Sequence, residues 1–118
     1  MSAAKDKIRL RLRIDVDREA AIGPGKIALL EAIIETGSIS AAARELGMSY
    51  RRAWLLIEDI NSRLRKPAVT RAKGGKQGGS SALTNTGMQL VRLFRKVEAT
   101  AYSRSLPDIR ALTELLAK

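Results

Sequence analysis

GSISAAARELGMSYRRAWLLIEDIN, residues Gly37–Asn61, reads as a short helix, a tight turn and a longer helix. Ser38 and Ser40 can each N-cap the first helix, because a hydroxyl oxygen accepts from a backbone N–H that has no partner inside the helix. Ala41, Ala42 and Ala43 follow, strong helix formers that are small enough for close packing. Leu46 supplies an expected apolar anchor. Gly47 sits where the chain must turn and tolerates positive φ there, and Met48 plugs the corner. Ser49 is a second N-cap. It opens a helix from Tyr50 to about Arg65, with Ala53, Leu56, Ile57, Ile60 and Leu64 on one apolar face. Tyr50, Arg51 and Arg52 fall at the exposed N-terminal end of that helix. This layout is a helix-turn-helix, whose second helix enters the DNA major groove by its N-terminal residues, where an arginine can bond guanine bidentately. The alternative is an ordinary helical hairpin with a solvated basic tip. Two caps, one turn glycine and a run of small residues at these offsets count against it.

Composition narrows the function classes. A chain of 118 residues is one domain with a short appendage, and 45% hydrophobic content is enough for a core. The aromatic residues are Tyr50, Trp54, Phe94 and Tyr102, so that core is mostly aliphatic. Trp54 is expected to be partly buried packing rather than a base-stacking group. No apolar run is long enough to span a membrane. The N-terminal MSAAKDKIRLRLRID has no apolar core of a secretory signal, so a cytoplasmic location is expected. Cysteine and histidine are both absent, which removes zinc fingers, thiolate nucleophiles and imidazole bases. The close carboxylate pairs Asp15/Asp17 and Glu58/Asp59 read as surface charges or ion-pair partners. No catalytic residue, metal ligand or cofactor is therefore expected.

The net charge of +10 calls for a polyanion. Its placement is uneven. Between Asp59 and Glu98 the chain has no acidic residue, yet it carries Arg63, Arg65, Lys66, Arg71, Lys73, Lys76, Arg92, Arg95 and Lys96. A cationic block without an anion is better explained by phosphate contacts than by solubility.

Outside the helix-turn-helix, residues 1–7 are expected to be disordered. Ile8, Leu10, Leu12, Ile14 and Val16 alternate with Arg9, Arg11, Arg13 and Asp15, which predicts a half-buried strand over Ile8–Val16. The arginine ladder reads as a solvated strand face in preference to a phosphate contact. Such a strand needs a partner elsewhere. Gly23-Pro24-Gly25 marks a turn, and a helix from Lys26 to about Thr36 follows, with Ile27, Leu30, Ile33 and Ile34 facing the core and Gly37 past its end. Ala68–Lys73 and Ala82–Thr84 read as two short strands around the basic, glycine-rich Lys73–Ser81 loop. That is the shape of a wing, a hairpin lying along the DNA backbone, whose bare N–H groups can approach phosphate. The loop lacks the spacing of a nucleotide-binding glycine motif. A plain linker is the remaining alternative. Asn85 or Thr86 can cap a helix to about Tyr102, with Leu90, Leu93, Phe94, Val97 and Ala101 on its apolar face. Pro107 then restarts a last amphipathic helix with Ile109, Leu112, Leu115 and Leu116, for which pairing with a second copy is favoured over packing back.

The order strand, helix, helix-turn-helix, two-stranded wing, long helix is that of a winged helix. At the helix-turn-helix the chain resembles the LysR-type regulators in its Ser-x-x-Ala-Ala pattern. It more closely resembles the N-terminal domain of the ModE family of molybdate-responsive transcription regulators. Three segments carry this: the Gly37–Asn61 stretch with Ser49, Tyr50, Arg51, Ala53 and Trp54, the wing RAKGGKQGGSSALTNTG, and the arginine-laced strand before the first helix. The resemblance implies a homodimeric module that binds double-stranded DNA, at a palindromic operator, near molybdate-uptake or molybdoenzyme genes. Ser49–Arg65 corresponds to the recognition helix and Gly74–Ser81 to the wing loop. Members of the family carry further β-rich domains that bind molybdate, and the chain is expected to lack them.

The sequence thus predicts a mainly α fold with a small β-sheet: a winged helix-turn-helix with an N-terminal strand, a two-stranded wing and C-terminal dimerisation helices. The winged domain is expected over 8–105 and a C-terminal helix, a dimerisation element, over 106–118. Candidate DNA-contacting residues are Ser38, Ser40, Ser49, Tyr50, Arg51, Arg52, Arg71, Lys73, Gly74, Gly75, Lys76 and Gln77. The runner-up function is a sequence-nonspecific architectural DNA-binding protein. A small-anion sensor built on the glycine loop and Lys76 ranks below it.

Overall fold

Ile27, Leu29, Leu30, Ala32 and Ile33 are all buried on one helix, α1 (Pro24–Thr36), and the rest of the chain is built around it. The structure is a computed structural model that describes residues 7–71 and 81–117. Two strands, β1 (Ile14–Val16) and β2 (Glu19–Ile22), precede α1. After it come α2 (Ile39–Glu45), α3 (Tyr50–Arg63), β3 (Val69–Arg71), β4 (Ser81–Leu83) and α4 (Asn85–Thr113). Helix α1 packs against α2, α3, α4 and β4. Neighbours on several sides explain why its buried residues are not a single stripe. Leu29, unassigned in the sequence pattern, is fully buried, while Ile34, expected in the core, is 44% exposed. Ile39, Ala42 and Ala43 from α2, Ala53, Ile57 and Ile60 from α3, and Val91 and Phe94 from α4 complete the core. Leu56 and Leu64 of the expected α3 face are only partly buried against it.

The α2–α3 corner is held by local chemistry. Ser38 Oγ accepts from the Ala41 N–H at 3.0 Å and caps α2. At the other end Gly47 has φ 70°. Its N–H reaches the Arg44 carbonyl at 3.2 Å, and the Met48 N–H reaches the Ala43 carbonyl at 3.0 Å, the paired bonds of a Schellman motif. Met48 is half-buried against the core as the corner plug. Leu46 is not the expected anchor. As the C-cap it is carried outward and is 38% exposed.

The N-terminal strand is shorter than predicted, and its partner is its own continuation. β1 pairs antiparallel with β2, Ile14 opposite Ile22 and Val16 opposite Glu19, across a two-residue turn with Asp17 at φ 54° and Arg18 at φ 69°. Positive φ at both central residues is the type I′ geometry that matches strand twist. The ladder stops at Ile14 because β2 stops at Ile22, ahead of Gly23 and Pro24. Proline has no N–H to give a ladder and is preset to begin α1. The alternation nevertheless persists upstream: Ile8, Leu10 and Leu12 are half-buried, and Arg9, Arg11 and Arg13 are exposed.

β3 and β4 pair antiparallel as expected for the wing, Val69 opposite Leu83 and Arg71 opposite Ser81. Thr84, not Asn85 or Thr86, caps α4, its Oγ1 accepting from the Gly87 N–H at 3.1 Å. A further correction concerns Pro107. It does not restart a helix, because α4 runs through it to Thr113. Proline forfeits one bond to the carbonyl of Ser103. Ser103 and Pro107 both face solvent, so water can take that carbonyl. At about 1.5 Å per residue α4 is roughly 44 Å long. It gives the molecule extents of 55 × 32 × 22 Å and a radius of gyration of 17.1 Å, against about 13 Å for a compact 100-residue domain. Leu93 and Val97, expected to face the core, are each 46% exposed on this helix. The expected disorder of residues 1–7 lies outside the described residues except at Lys7, and so does Lys118.

Candidate nucleic-acid interface

The N-terminal end of α3 is built by Ser49. Its Oγ accepts from the Arg52 N–H at 3.0 Å, and its carbonyl accepts from the Ala53 N–H at 3.0 Å. With the first turn closed in this way, Tyr50, Arg51 and Arg52 emerge exposed, while Ala53, Ile57 and Ile60 turn into the core. The 3.6-residue period then fixes the opposite face as Arg51, Leu55, Glu58 and Ser62. All four are exposed. Leu55, 54% exposed, lies at the middle of this face and was not among the residues expected to matter. Its position opposite the 53-57-60 stripe was the available signal. An apolar side chain there can meet a thymine methyl group. The first-turn N–H groups and the helix dipole add positive potential at the same end.

One flank of α3 carries the wing. The Arg71 guanidinium lies 5.0 Å from the centre of the Trp54 ring, within cation–π range. Asn61, in the last turn of α3, holds the strand that leads there. Its Oδ1 accepts from the N–H groups of Ala68 (2.7 Å) and Val69 (3.3 Å), and its Nδ2 donates to the Val69 carbonyl (3.3 Å). From the other side the Thr84 hydroxyl donates to the Pro67 carbonyl at 2.7 Å, and the Thr84 N–H to that of Ala68 at 2.9 Å. Gly87 is buried against this junction, where a Cβ would stand 2.3 Å from the Ala68 carbonyl oxygen. The wing base is therefore clamped between α3 and α4. Sequence reading missed Asn61 and Gly87, since their partners lie seven or more residues away and leave no local pattern.

The other flank is an open depression of about 260 Å³, to which Arg13, Lys26, Met48, Arg52 and Leu56 contribute. Lys26 pairs with Asp59, which also accepts from Arg63 Nε at 3.0 Å. Hydrogen bonds from Lys26 and then from Arg63 hold the Asp59 carboxyl below the usual carboxylate range.

Of the expected contacts, Ser40, Ser49, Tyr50, Arg51, Arg52 and Arg71 are exposed. Ser38 is half-buried with its hydroxyl oxygen committed to the cap. Lys73, Gly74, Gly75, Lys76 and Gln77 lie outside the described residues. The cationic block is less free than its sequence suggested. Arg95 binds Glu31 bidentately at 2.7 and 2.8 Å and Glu98 at 2.5 Å, which ties α4 to α1, and Arg63 is held by Asp59. The hydrogen bond from Arg95 lowers the Glu31 pKa. Counting acids along the chain overlooked Glu31, supplied from α1 in space. Among the described residues no cluster of three or more acidic side chains forms a metal site, and no helix is long and apolar enough to cross a membrane.

Residues 25–88, which hold α1, the helix-turn-helix and the wing, match the family described as bacterial regulatory helix-turn-helix protein, lysR family. The chain belongs to that family. It is 49% identical over 80 residues to the molybdenum-pterin-binding protein MopB of Rhodobacter capsulatus, covering 68% of this chain and 30% of that one. It is 40% identical over 88 residues to the molybdenum transport protein ModE of Azotobacter vinelandii, covering 75% and 33%. The resemblance to ModE regulators is thus met, and this lysR-family chain spans about a third of the length of these relatives. A CbnR_DBD–DNA complex superposes with a TM-score of 0.57 at 22% identity over 75% of this chain and 95% of that one, which shows a shared fold.

Proposed function

We propose that this chain is a sequence-specific DNA-binding transcription regulator that acts as a homodimer in the cytoplasm, by binding rather than by catalysis. The observation that carries the reading is the exposed Arg51 at the Ser49-capped tip of α3, beside a wing held to the same helix by Asn61 and Trp54. Arg51 and Arg52, with Tyr50, read base edges in the major groove. Ser49 keeps its hydroxyl hydrogen free for phosphate, and Ser38 and Ser40 face the same backbone from α2. Arg71, Lys73 and Lys76, with Gly74, Gly75 and Gln77, hold the flanking strand. Two copies pair through the projecting α4, where Leu93, Val97 and Leu112 are 46–57% exposed. Such a dimer addresses a palindromic operator with half-sites about one or two helical turns apart. The likeness to proteins named for molybdenum transport and molybdenum-pterin binding supports a place at molybdate-uptake or molybdoenzyme genes. The Arg95 and Arg63 ion pairs favour this reading over a sequence-blind architectural binder, since they withdraw two cations from an undirected electrostatic grip.

The test is competition. Duplexes selected from random sequence should displace labelled bulk DNA at far lower concentration than bulk DNA displaces itself. Equal displacement would leave the architectural reading in its place. Molybdate-transporter genes beside the coding region would support the metabolic assignment.

A further inference from the structure

We infer that Arg9, Arg11 and Arg13 form an arm that grips the DNA backbone on the flank of α3 away from the wing; this rests on the DNA-binding reading above. Three observations meet here. First, the arm lies beside the recognition helix, because Arg13 and Arg52 line the same open depression. Second, that depression and the wing occupy opposite sides of α3. Trp54, which carries Arg71, and Arg52, which faces Arg13, are about 160° apart around the helix axis. The groove-facing residue Arg51 lies between them. Third, the arm presents its cations outward. Ile8, Leu10 and Leu12 are half-buried, Leu12 against the core, while the three arginines are exposed.

The charges around the arm leave these arginines available. Among the described residues Arg9 and Arg11 have no ion-pair partner and Arg13 has only Asp15, at 3.0 Å and with 63% of the Arg13 side chain exposed. A pair that exposed is worth little and yields readily to phosphate. The acids paired with residues lining the depression are Asp15, with Arg13, and Asp59, with Lys26, and Asp59 is also held by Arg63. In a period-two segment successive arginines stand about 6.6 Å apart, on the scale of the step between neighbouring phosphates of one strand. A solvated strand face explains the alternation but not its placement on this flank. Arm and wing then bracket the recognition helix, each holding backbone on its own side.

The experiment is a salt series of duplex binding by the full chain and by the triple variant Arg9→Gln, Arg11→Gln, Arg13→Gln, with a hydroxyl-radical footprint of each complex. Each lost phosphate contact lowers the slope of log K against log salt by about 0.9. The expected result is a slope smaller by about 2 to 3, an unchanged ranking of sites, and protection lost on only one side of each half-site. The Arg→Lys triple variant should restore slope and footprint. A folded Gln variant, shown by its circular dichroism, that keeps the wild-type slope and footprint overturns the arm while leaving the DNA-binding reading intact. A wild-type chain that binds no duplex overturns both.

Discussion

Arg71 rests on the face of Trp54, so β3 and α3 are joined by a direct side-chain contact. Trp54 is the single tryptophan of the chain, and its fluorescence therefore reports on that joint. Arg71→Ala should shift the emission and cost about 0.5–1 kcal/mol of stability, the value of a partly exposed cation–π pair. Saturating duplex DNA should also change the emission, because phosphate competes for the same guanidinium. Emission that responds to neither would mean the joint does not form in solution.

Asn61→Ala should be far more damaging than its half-exposed position suggests. It leaves the N–H of fully buried Ala68 without its 2.7 Å acceptor and removes both bonds to Val69. An orphaned buried donor costs about 1–3 kcal/mol. Thermal or urea unfolding measures the loss, and a change within error of zero would remove Asn61 from its clamping role.

Gly87→Ala tests the other side of the same clamp. Alanine normally improves a helix, by about 1 kcal/mol over glycine. Here a Cβ would meet the Ala68 carbonyl oxygen at 2.3 Å, a distance no contact tolerates, so β3 or α4 must shift. The expected result is a net destabilisation of about 1–3 kcal/mol. A stabilised variant would show that the two segments are not packed this closely.

Acid should weaken the fold through Glu31 and Asp59. Each is held below its ordinary pKa, Glu31 by Arg95 and Asp59 by Lys26 and Arg63. A carboxyl whose folded pKa lies below its unfolded one stabilises the fold above the ordinary carboxylate range, and that stability disappears as pH falls through the folded value. The melting temperature should therefore decline below roughly pH 4. Glu31→Gln should lower it at neutral pH and flatten the acid limb. An acid limb as steep in the variant as in the wild type would mean that Glu31 does not contribute to it.

What was legible in the sequence was local. Ser38, Ser49 and Gly47 act on backbone groups within three or four residues, so their spacing alone placed α2, the turn and the start of α3. The wing strands were legible because turn-forming residues separated two short apolar runs. Less visible was whatever depends on distant partners. Asn61 serves a strand seven residues on, Glu31 neutralises an arginine 64 residues away, and Leu29 is buried because α1 has neighbours on several sides. Pro107 misled in a different way: its cost is local and real, but an exposed helix position lets water absorb it.

In the proposed complex Arg51, at the tip of α3, reads a base edge. The most direct measurement is the affinity of wild type and Arg51→Ala for a selected operator and for its single-base variants. The expected result is a loss of about 1–3 kcal/mol on the operator and relaxed discrimination at one base position of each half-site. Equal weakening on every sequence, with all base preferences kept, would contradict it.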